Sequence, residues 1–208
     1  MKKYFFLFFL FLILSPAIYS QVIQNYGFKV GYVNSSESFN NSIDNTTKRK
    51  SGFSISGFID LFGFHGFSIS PEVKFIQKGV GLEFFVTGPE SPEPIGKRIE
   101  YIYHNYLSIP VSIMYTIPLN FGNSFVKLAP RYDILIKSYD DFNSPASTYD
   151  NYKNVFGGTV SVGFIPALNS KVNPFLEISY HMDFTDTFSS PRTNTRNNAF
   201  EVNLGILL

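Results

Sequence analysis

Eight segments of this chain alternate apolar and polar residues, and the seven gaps between them alternate in length from long to short. The long gaps cover residues 34–50, 81–99, 139–152 and 185–196, and the short gaps cover residues 63–66, 118–123 and 166–170. Successive side chains of a strand point to opposite faces, so each segment predicts a strand with one apolar face. The long–short order is typical of membrane β-barrels, which have short turns at one end and long loops at the other.

The clearest alternation covers residues 101–116. The apolar positions of this segment are Tyr101, Tyr103, Leu107, Ile109, Val111, Ile113 and Tyr115, and the intervening positions include His104, Ser108, Ser112 and Thr116. Tyrosines lie at both ends of the apolar face. A tyrosine ring is apolar and its hydroxyl is polar, so this placement is typical of a strand that meets two membrane–water interfaces.

Together the eight segments predict an all-β fold, an eight-stranded antiparallel up-and-down transmembrane β-barrel. Each segment approaches the roughly 9–11 residues that a tilted strand needs to cross a bilayer. The sheet must close, because unpaired backbone groups at a sheet edge cannot be satisfied in lipid. Eight strands leave interior room for side chains but not for an open pore.

The N-terminus predicts a secretory signal peptide. Lys2 and Lys3 precede an apolar run over residues 4–14, and Ser20 precedes Gln21, which is the order of a basic region, a short apolar region and a small residue at a cleavage site. We expect residues 1–20 to be the cleaved signal peptide and residues 21–208 to be the barrel domain. The expected location is therefore the cell outer membrane, with an uncleaved membrane anchor as the alternative.

Composition restricts the class of protein further. Aromatic residues make up 18% of the chain, charged residues only 16%, and the formal net charge is +1. Soluble proteins contain about 25% charged residues, and a near-neutral chain offers no electrostatic basis for binding nucleic acid. An exported protein of this kind is either a membrane barrel or a secreted, lipocalin-like binding protein whose apolar face points inward. The loop asymmetry and the small residues on the polar face favour the membrane barrel.

In a membrane barrel the polar face lines the lumen. Its ionisable residues are Lys29, Asp60, Glu72, Lys74, Lys127, Arg131, Asp133, Glu177, Asp183 and Glu201. Charges in a narrow interior are costly unless they are paired. We therefore expect an interior network of salt bridges and hydrogen bonds formed by Glu72, Lys74, Lys127, Arg131, Asp133 and Glu177. The alternative role for these residues is an ion or proton path.

The sequence contains few candidates for catalytic residues. The three histidines, His65, His104 and His181, lie far apart, whereas metal sites need clustered ligands. The best candidate for a lipid-modifying enzyme is Ser179, His181 and Asp183, which share one strand face, as residues two apart do in any strand. The chain has no cysteine and no phosphate-binding glycine motif. We expect no catalytic, cofactor or metal site.

Three prolines lie inside the predicted strands, namely Pro71, Pro110 and Pro130. Proline has no N–H to donate to a neighbouring strand, so prolines are rare in the middle of a sheet. We expect these residues to mark β-bulges or strand ends near the rim of the barrel.

Several segments resemble the PorT-type outer-membrane β-barrel family of Bacteroidetes-like bacteria. These are residues 106–110 (YLSIP), the strand over 111–115, residues 125–130 (FVKLAP) and residues 203–206 (NLGI). The resemblance implies an eight-stranded barrel in the outer membrane. One branch of the family is linked to type IX protein secretion, and most members have no assigned activity. The expected partners are outer-membrane lipid, the barrel insertion machinery, which recognises a terminal strand such as residues 200–208, and a protein that contacts the external loops.

Overall fold

The computed structural model describes residues 22–40, 47–88, 91–141, 152–168, 170, 172–188 and 194–208. It contains eight strands: β1 (Ile23–Asn40), β2 (Thr47–Phe64), β3 (Phe67–Gly88), β4 (Ser91–Leu119), β5 (Gly122–Asp140), β6 (Val155–Pro166), β7 (Asn173–Asp183) and β8 (Asn194–Leu207). The expected signal peptide and most of the loops after β1, β5 and β7 lie outside the described residues. None of the described residues forms a helix long and apolar enough to cross a membrane.

The strands form a closed, antiparallel, up-and-down barrel. Each strand pairs with the next along the chain, and β1 closes the ring by pairing with β8 from Gly27 opposite Leu207 to Asn40 opposite Asn194. This confirms the predicted fold class. The connections β2–β3, β4–β5 and β6–β7 are short and lie at one end, which we call the short-turn end. The opposite end is the long-loop end.

The predicted loop over residues 81–99 is wrong, because β3 and β4 continue through almost all of it. Their pairing runs from Leu82 opposite Glu100 to Gly88 opposite Ser91. Strands β1 and β2 also extend into the gap predicted over residues 34–50. Strand assignment from alternation requires one buried face. In this extension neighbouring residues such as Phe85 and Val86 are both exposed, so the periodicity disappears although the backbone pairing persists.

The prediction of bulges at the three prolines is also wrong. The β3–β4 ladder has the same register on both sides of Pro110, from Pro71 opposite Val111 to Lys74 opposite Ser108. The β4–β5 ladder likewise keeps its register past Pro130. Proline removes one donor, but its fixed φ is compatible with an extended chain. The pairs on either side therefore hold the strands in register.

The two faces of the barrel follow the predicted alternation. Outward positions of β1, for example, are Tyr26, Phe28, Val30 and Tyr32, each at least half exposed. One exception is Lys137, because the alternation of β5 through Lys127, Arg131 and Asp133 predicts that this side chain also points inward. The β4–β5 register shifts beside Asn105 and Tyr106, which pair with Lys137 and Leu135. Leu135 still packs inward, as the alternation predicts. The unpaired Ile136 then shifts the alternation by one residue, so Lys137 is exposed.

Candidate functional site: the ionic interior

The lumen contains two apolar layers with ionisable side chains between and around them. The layer nearest the short turns, the short-turn plug, consists of Phe58, Met114, Phe125, Phe175 and Leu207, with Ile165 packed against it. The layer nearest the long loops, the long-loop plug, consists of Val33, Ile76, Tyr106, Val155 and Ala199. On β5 and β8, for instance, the charged residues lie between the two plug positions of the strand.

Aromatic rings close the short-turn plug. Phe175 meets Phe58 and Phe125 edge-on, with ring centroids 5.7 and 6.2 Å apart. Two glycines make room for these rings, because a Cβ on Gly163 or Gly205 would overlap the Phe125 or Phe175 ring. The absence of a side chain at these two glycines therefore lets the aromatic rings pack inside the barrel.

The half of the network nearest the short-turn plug joins strands from all around the barrel. The ammonium of Lys29 lies 2.9 Å from Glu72 and 2.6 Å from Glu177. Lys74 lies 3.2 Å from Glu72, and Lys127 lies 3.4 Å from Glu177. Four of the six residues expected to form an interior network, Glu72, Lys74, Lys127 and Glu177, thus meet in one cluster.

The other half of the network centres on Arg131. Its guanidinium contacts the carboxylates of Asp133 and Asp183, and Lys78 lies 2.8 Å from Asp133 and 3.3 Å from Asp183. Ser108 also donates to Asp133 at 2.5 Å. The two remaining residues of the expected network, Arg131 and Asp133, therefore meet here rather than in the first cluster.

The expected network was incomplete. Lys29, Asp183 and Glu201 were placed on the polar face but not in the network, and Lys78 was missed because it lies near the start of a predicted loop. Lys78 does share the two-residue period of Glu72 and Lys74, which could have identified it.

The described network has as many cations as carboxylates: Lys29, Lys74, Lys78, Lys127 and Arg131 against Glu72, Asp133, Glu177, Asp183 and Glu201. Mutual pairing offsets the cost of burying them.

The candidate catalytic residues have other partners. The His181 ring contacts Glu201 at 2.7 Å and Thr159 at 2.8 Å, whereas Asp183 binds Arg131 and Lys78. Ser179 contacts the Ser161 hydroxyl at 2.9 Å. These groups are all at least 95% buried. At this degree of burial they do not reach the surface of the barrel, where a lipid-modifying site would meet its substrate.

The remaining histidines are also apart from one another. His104 is fully buried near the long-loop end, 2.9 Å from Glu37, and His65 lies in the β2–β3 turn with φ 50°. No group of three or more potential metal ligands occurs in the part of the chain that the structure describes.

Little free space remains inside the network. The cavity bounded by Lys29, Glu72, Arg131 and their neighbours measures about 10 Å³, roughly the smallest space that holds one water molecule. The short-turn plug encloses a space of the same size. The lumen is therefore nearly filled at the level of the network and of the short-turn plug, and the polar groups of the network act as a charged core.

Outside the barrel, the β3–β4 extension carries a second, smaller set of charges. Lys48 and Lys97 lie 3.2 and 2.5 Å from the Glu83 carboxylate. Hydrogen bonds from these two lysines hold the pKa of Glu83 below its usual value. Phe85 is 63% exposed, and the Lys97 ammonium lies 5.3 Å from its ring centroid.

Comparison with known proteins shows similarity of fold only. No family model matches the sequence, and no curated protein matches it. Among solved structures, the attachment invasion locus protein Ail of Yersinia pestis, in complex with the heparin analogue sucrose octasulfate, is 10% identical with a TM-score of 0.46, over 89% of this chain and 99% of Ail. Neisserial surface protein A is 10% identical with a TM-score of 0.45, over 87% and 96% of the two chains. The outer membrane protein OprG of Pseudomonas aeruginosa is 11% identical with a TM-score of 0.48, over 89% and 97%. At these identities no function is transferred to this chain.

Proposed function

We propose that this protein is an integral outer-membrane β-barrel that performs no catalysis and supports a surface-exposed strand extension for contact with a partner protein. The observation that supports this proposal is the distribution of side chains, which is the reverse of that in a soluble protein. Large apolar residues cover the outside, while ten paired charges are buried inside. Water would favour the opposite arrangement, because exposed apolar area and buried charge are both unfavourable in a soluble barrel.

Aromatic side chains border the outward apolar surface at both ends. Near the short turns, Phe67 packs on Tyr115 with ring centroids 4.6 Å apart. Towards the long loops, Tyr180 packs on Phe200 at 4.7 Å. Aromatic rings at two levels around a barrel suit the two interfaces of a bilayer. The surface between them would contact acyl chains.

Single-cysteine labelling tests the membrane placement directly, because the native chain has no cysteine. Fluorophores attached at Ile109→Cys and Leu204→Cys, both outward positions, should be quenched by brominated acyl chains in nanodiscs. A label at Asp141→Cys, an exposed position at the long-loop end, is the matched control and should respond to a water-soluble quencher instead. Acyl-chain quenching absent at both Ile109 and Leu204 would contradict the proposal.

The β3–β4 extension is the part of the barrel best suited to bind a protein. Pairing of β3 with β2 ends at Leu82, and pairing of β4 with β5 ends at Ile102. Beyond these points the Asp141 N–H still donates to the Tyr101 oxygen, and the ladder described for residues 83–88 and 91–100 is the one that β3 and β4 form with each other. Unpaired N–H and C=O groups of an edge strand can accept an extended segment of another protein. Exposed Phe85 adds an apolar contact.

A photo-crosslinking amino acid at Phe85 tests this contact in native membranes. We expect adducts with a protein, whereas the same probe at Ile109 should give adducts with lipid. Protein adducts absent at Phe85 would contradict the partner proposal and leave the membrane placement intact.

Membership of the PorT-type family, with a link to type IX secretion, is the more specific form of this proposal. It is supported by the segments at residues 106–115, 125–130 and 203–206. Deleting the protein should then reduce the amount of type IX cargo in the culture medium, with expression of the intact chain as the control. An unchanged set of secreted proteins would exclude the link.

A further inference from the structure

A cup at the short-turn end carries a buried carboxylate, Asp60, with one oxygen that has no hydrogen-bond partner. The cup has a volume of about 320 Å³, and its polar lining includes Gln24, Asn25, Asp60, Ser68, Thr116 and Asn123. It lies on the opposite side of the short-turn plug from the ionic network, since Met114 and Ile165 contribute to both the plug and the cup wall.

Asp60 differs from the carboxylates of the ionic network. Only 2% of its surface is exposed, and its Oδ1 atom has no hydrogen-bond partner. Ser68, 93% buried, likewise has an unpartnered hydroxyl in the same cup. Each network carboxylate, by contrast, lies within 4 Å of a lysine or arginine. A buried carboxylate without a cationic partner is costly, so a cation bound in the cup would gain a counter-ion in Asp60.

No lysine or arginine is among the residues described as lining the cup, although His65 on the β2–β3 turn also lines it. Lys127 approaches from the plug side, where it and Asp60 border the small space inside the plug. Its ammonium, however, lies over the Phe58 and Phe125 rings at 4.9 and 5.0 Å and binds Glu177. The network therefore supplies no lysine or arginine that forms a salt bridge with Asp60.

We infer that this cup binds an organic cation that bears a primary ammonium or guanidinium group, with Asp60 as its counter-ion. The volume lies at the lower end of the range for small-molecule pockets and is much larger than an inorganic ion requires. Ser68 and Thr116 hydroxyls and the Gln24, Asn25 and Asn123 amides offer oxygens for the remaining N–H groups. Met114 and Ile165 provide an apolar wall for the carbon chain of the ligand.

The inference concerns a different end of the barrel from the proposed partner contact, and it is tested on the folded protein in detergent micelles. The probes are methylguanidinium chloride, which represents a free cation, and a blocked Gly-Arg-Gly peptide, which represents a polypeptide side chain. Amide chemical shifts of Gly63, Gly66 and Ser68 report on the cup. We expect saturable shifts with either probe, and the tighter of the two identifies the source of the cation.

Asp60→Asn keeps the size of the side chain and removes its charge. We expect it to weaken binding by about tenfold or more, since a hydrogen bond to a charged group is worth about 1.5–3 kcal/mol. Asp141→Asn, which removes an exposed carboxylate at the other end, is the matched control and should bind as the native chain does. Thr116→Val, which removes one neutral acceptor from a half-buried position, should weaken binding by a smaller factor and is the second variant if Asp60→Asn does not fold.

Three results would overturn the inference. One is the absence of saturable shifts in the native chain with both probes. Another is equal binding by the native chain and Asp60→Asn. The third is the same shifts with sodium or calcium chloride at equal ionic strength, which would assign the cup to an inorganic cation. A heat-modifiable gel band, scored separately, establishes that each variant is a folded barrel.

Discussion

Lys29 on β1 and Glu177 on β7 are joined across the lumen, with the ammonium 2.6 Å from the carboxylate. The two strands are not neighbours, because β8 lies between them in the barrel. Glu177 also lies 3.4 Å from Lys127 on β5. One carboxylate therefore connects three strands that share no backbone hydrogen bonds with one another. The interior ion pairs thus add links across the lumen to the hydrogen bonds between neighbouring strands.

Removing the Glu177 charge should be strongly destabilising. In Glu177→Gln, Lys29 and Lys127 lose a shared counter-ion, and breaking a buried ion pair costs about 3–5 kcal/mol. The free energy of unfolding in urea, measured in lipid vesicles, checks this. Asp186→Asn, which breaks the exposed pair with Arg196, should change stability by less than about 1 kcal/mol. Equal effects of the two substitutions would show that the interior pairs do not support the fold.

Adding one methyl group at Gly163 should disrupt the short-turn plug. A Cβ there would overlap the Phe125 ring, and overpacking a filled core costs about 1–3 kcal/mol. Gly96→Ala is the control, because a Cβ at Gly96 meets nothing within 4 Å. Adding Phe125→Leu to Gly163→Ala should restore part of the lost stability in the same unfolding assay. A Gly163→Ala variant as stable as native would mean that the rings are loosely packed.

The β3–β4 extension should lose order in acid. Lys97 and Lys48 lower the pKa of Glu83, so its ionic contribution is complete above the unfolded value near 4.5 and is lost as the pH falls through the lower folded value. Amide hydrogen exchange of residues 83–86 and 97–101 should therefore quicken, relative to the barrel strands, as the pH passes below 4.5. Rates must be corrected for intrinsic pH dependence. Glu83→Gln should show faster exchange at pH 7 and little further change in acid, and a variant that keeps the native pH profile would contradict this.

Lys50 should make stability rise in mild alkali. It lies on the long-loop side of Phe53, where the outward apolar surface of β2 ends. Burial lowers the pKa of Lys50 to about 8, although Asp141 partly opposes this. Between that value and 10.5 the unfolded chain binds more protons than the folded one, so the Lys50 contribution increases with pH. Unfolding free energies at pH 7.5 and 9.5 should therefore differ more in the native chain than in Lys50→Gln. An equal difference in both would show that Lys50 titrates normally.

The alternation of residue types was sufficient to predict the strand number, the closed barrel and the outward and inward faces. A strand reverses its side chains at every residue, so the pattern can be seen without knowledge of any partner strand. The same rule failed where its physical basis was absent. Neighbouring residues in the β3–β4 extension, such as Phe85 and Val86, are both exposed, so no alternation marks them as a strand. The bulge at Ile136 reverses the predicted face of Lys137.

The interior contacts depended on the tertiary structure. The sequence placed Glu72 and Asp133 on the same inward face, but they joined different halves of the network, because strand register sets which inward residues lie at the same height. The unpartnered oxygen of Asp60 could not be predicted from the sequence either, since a missing contact depends on all the surrounding strands. Periodicity along one strand thus determined the faces of this barrel. The pairing of its charges was determined by how eight strands are staggered around a common axis.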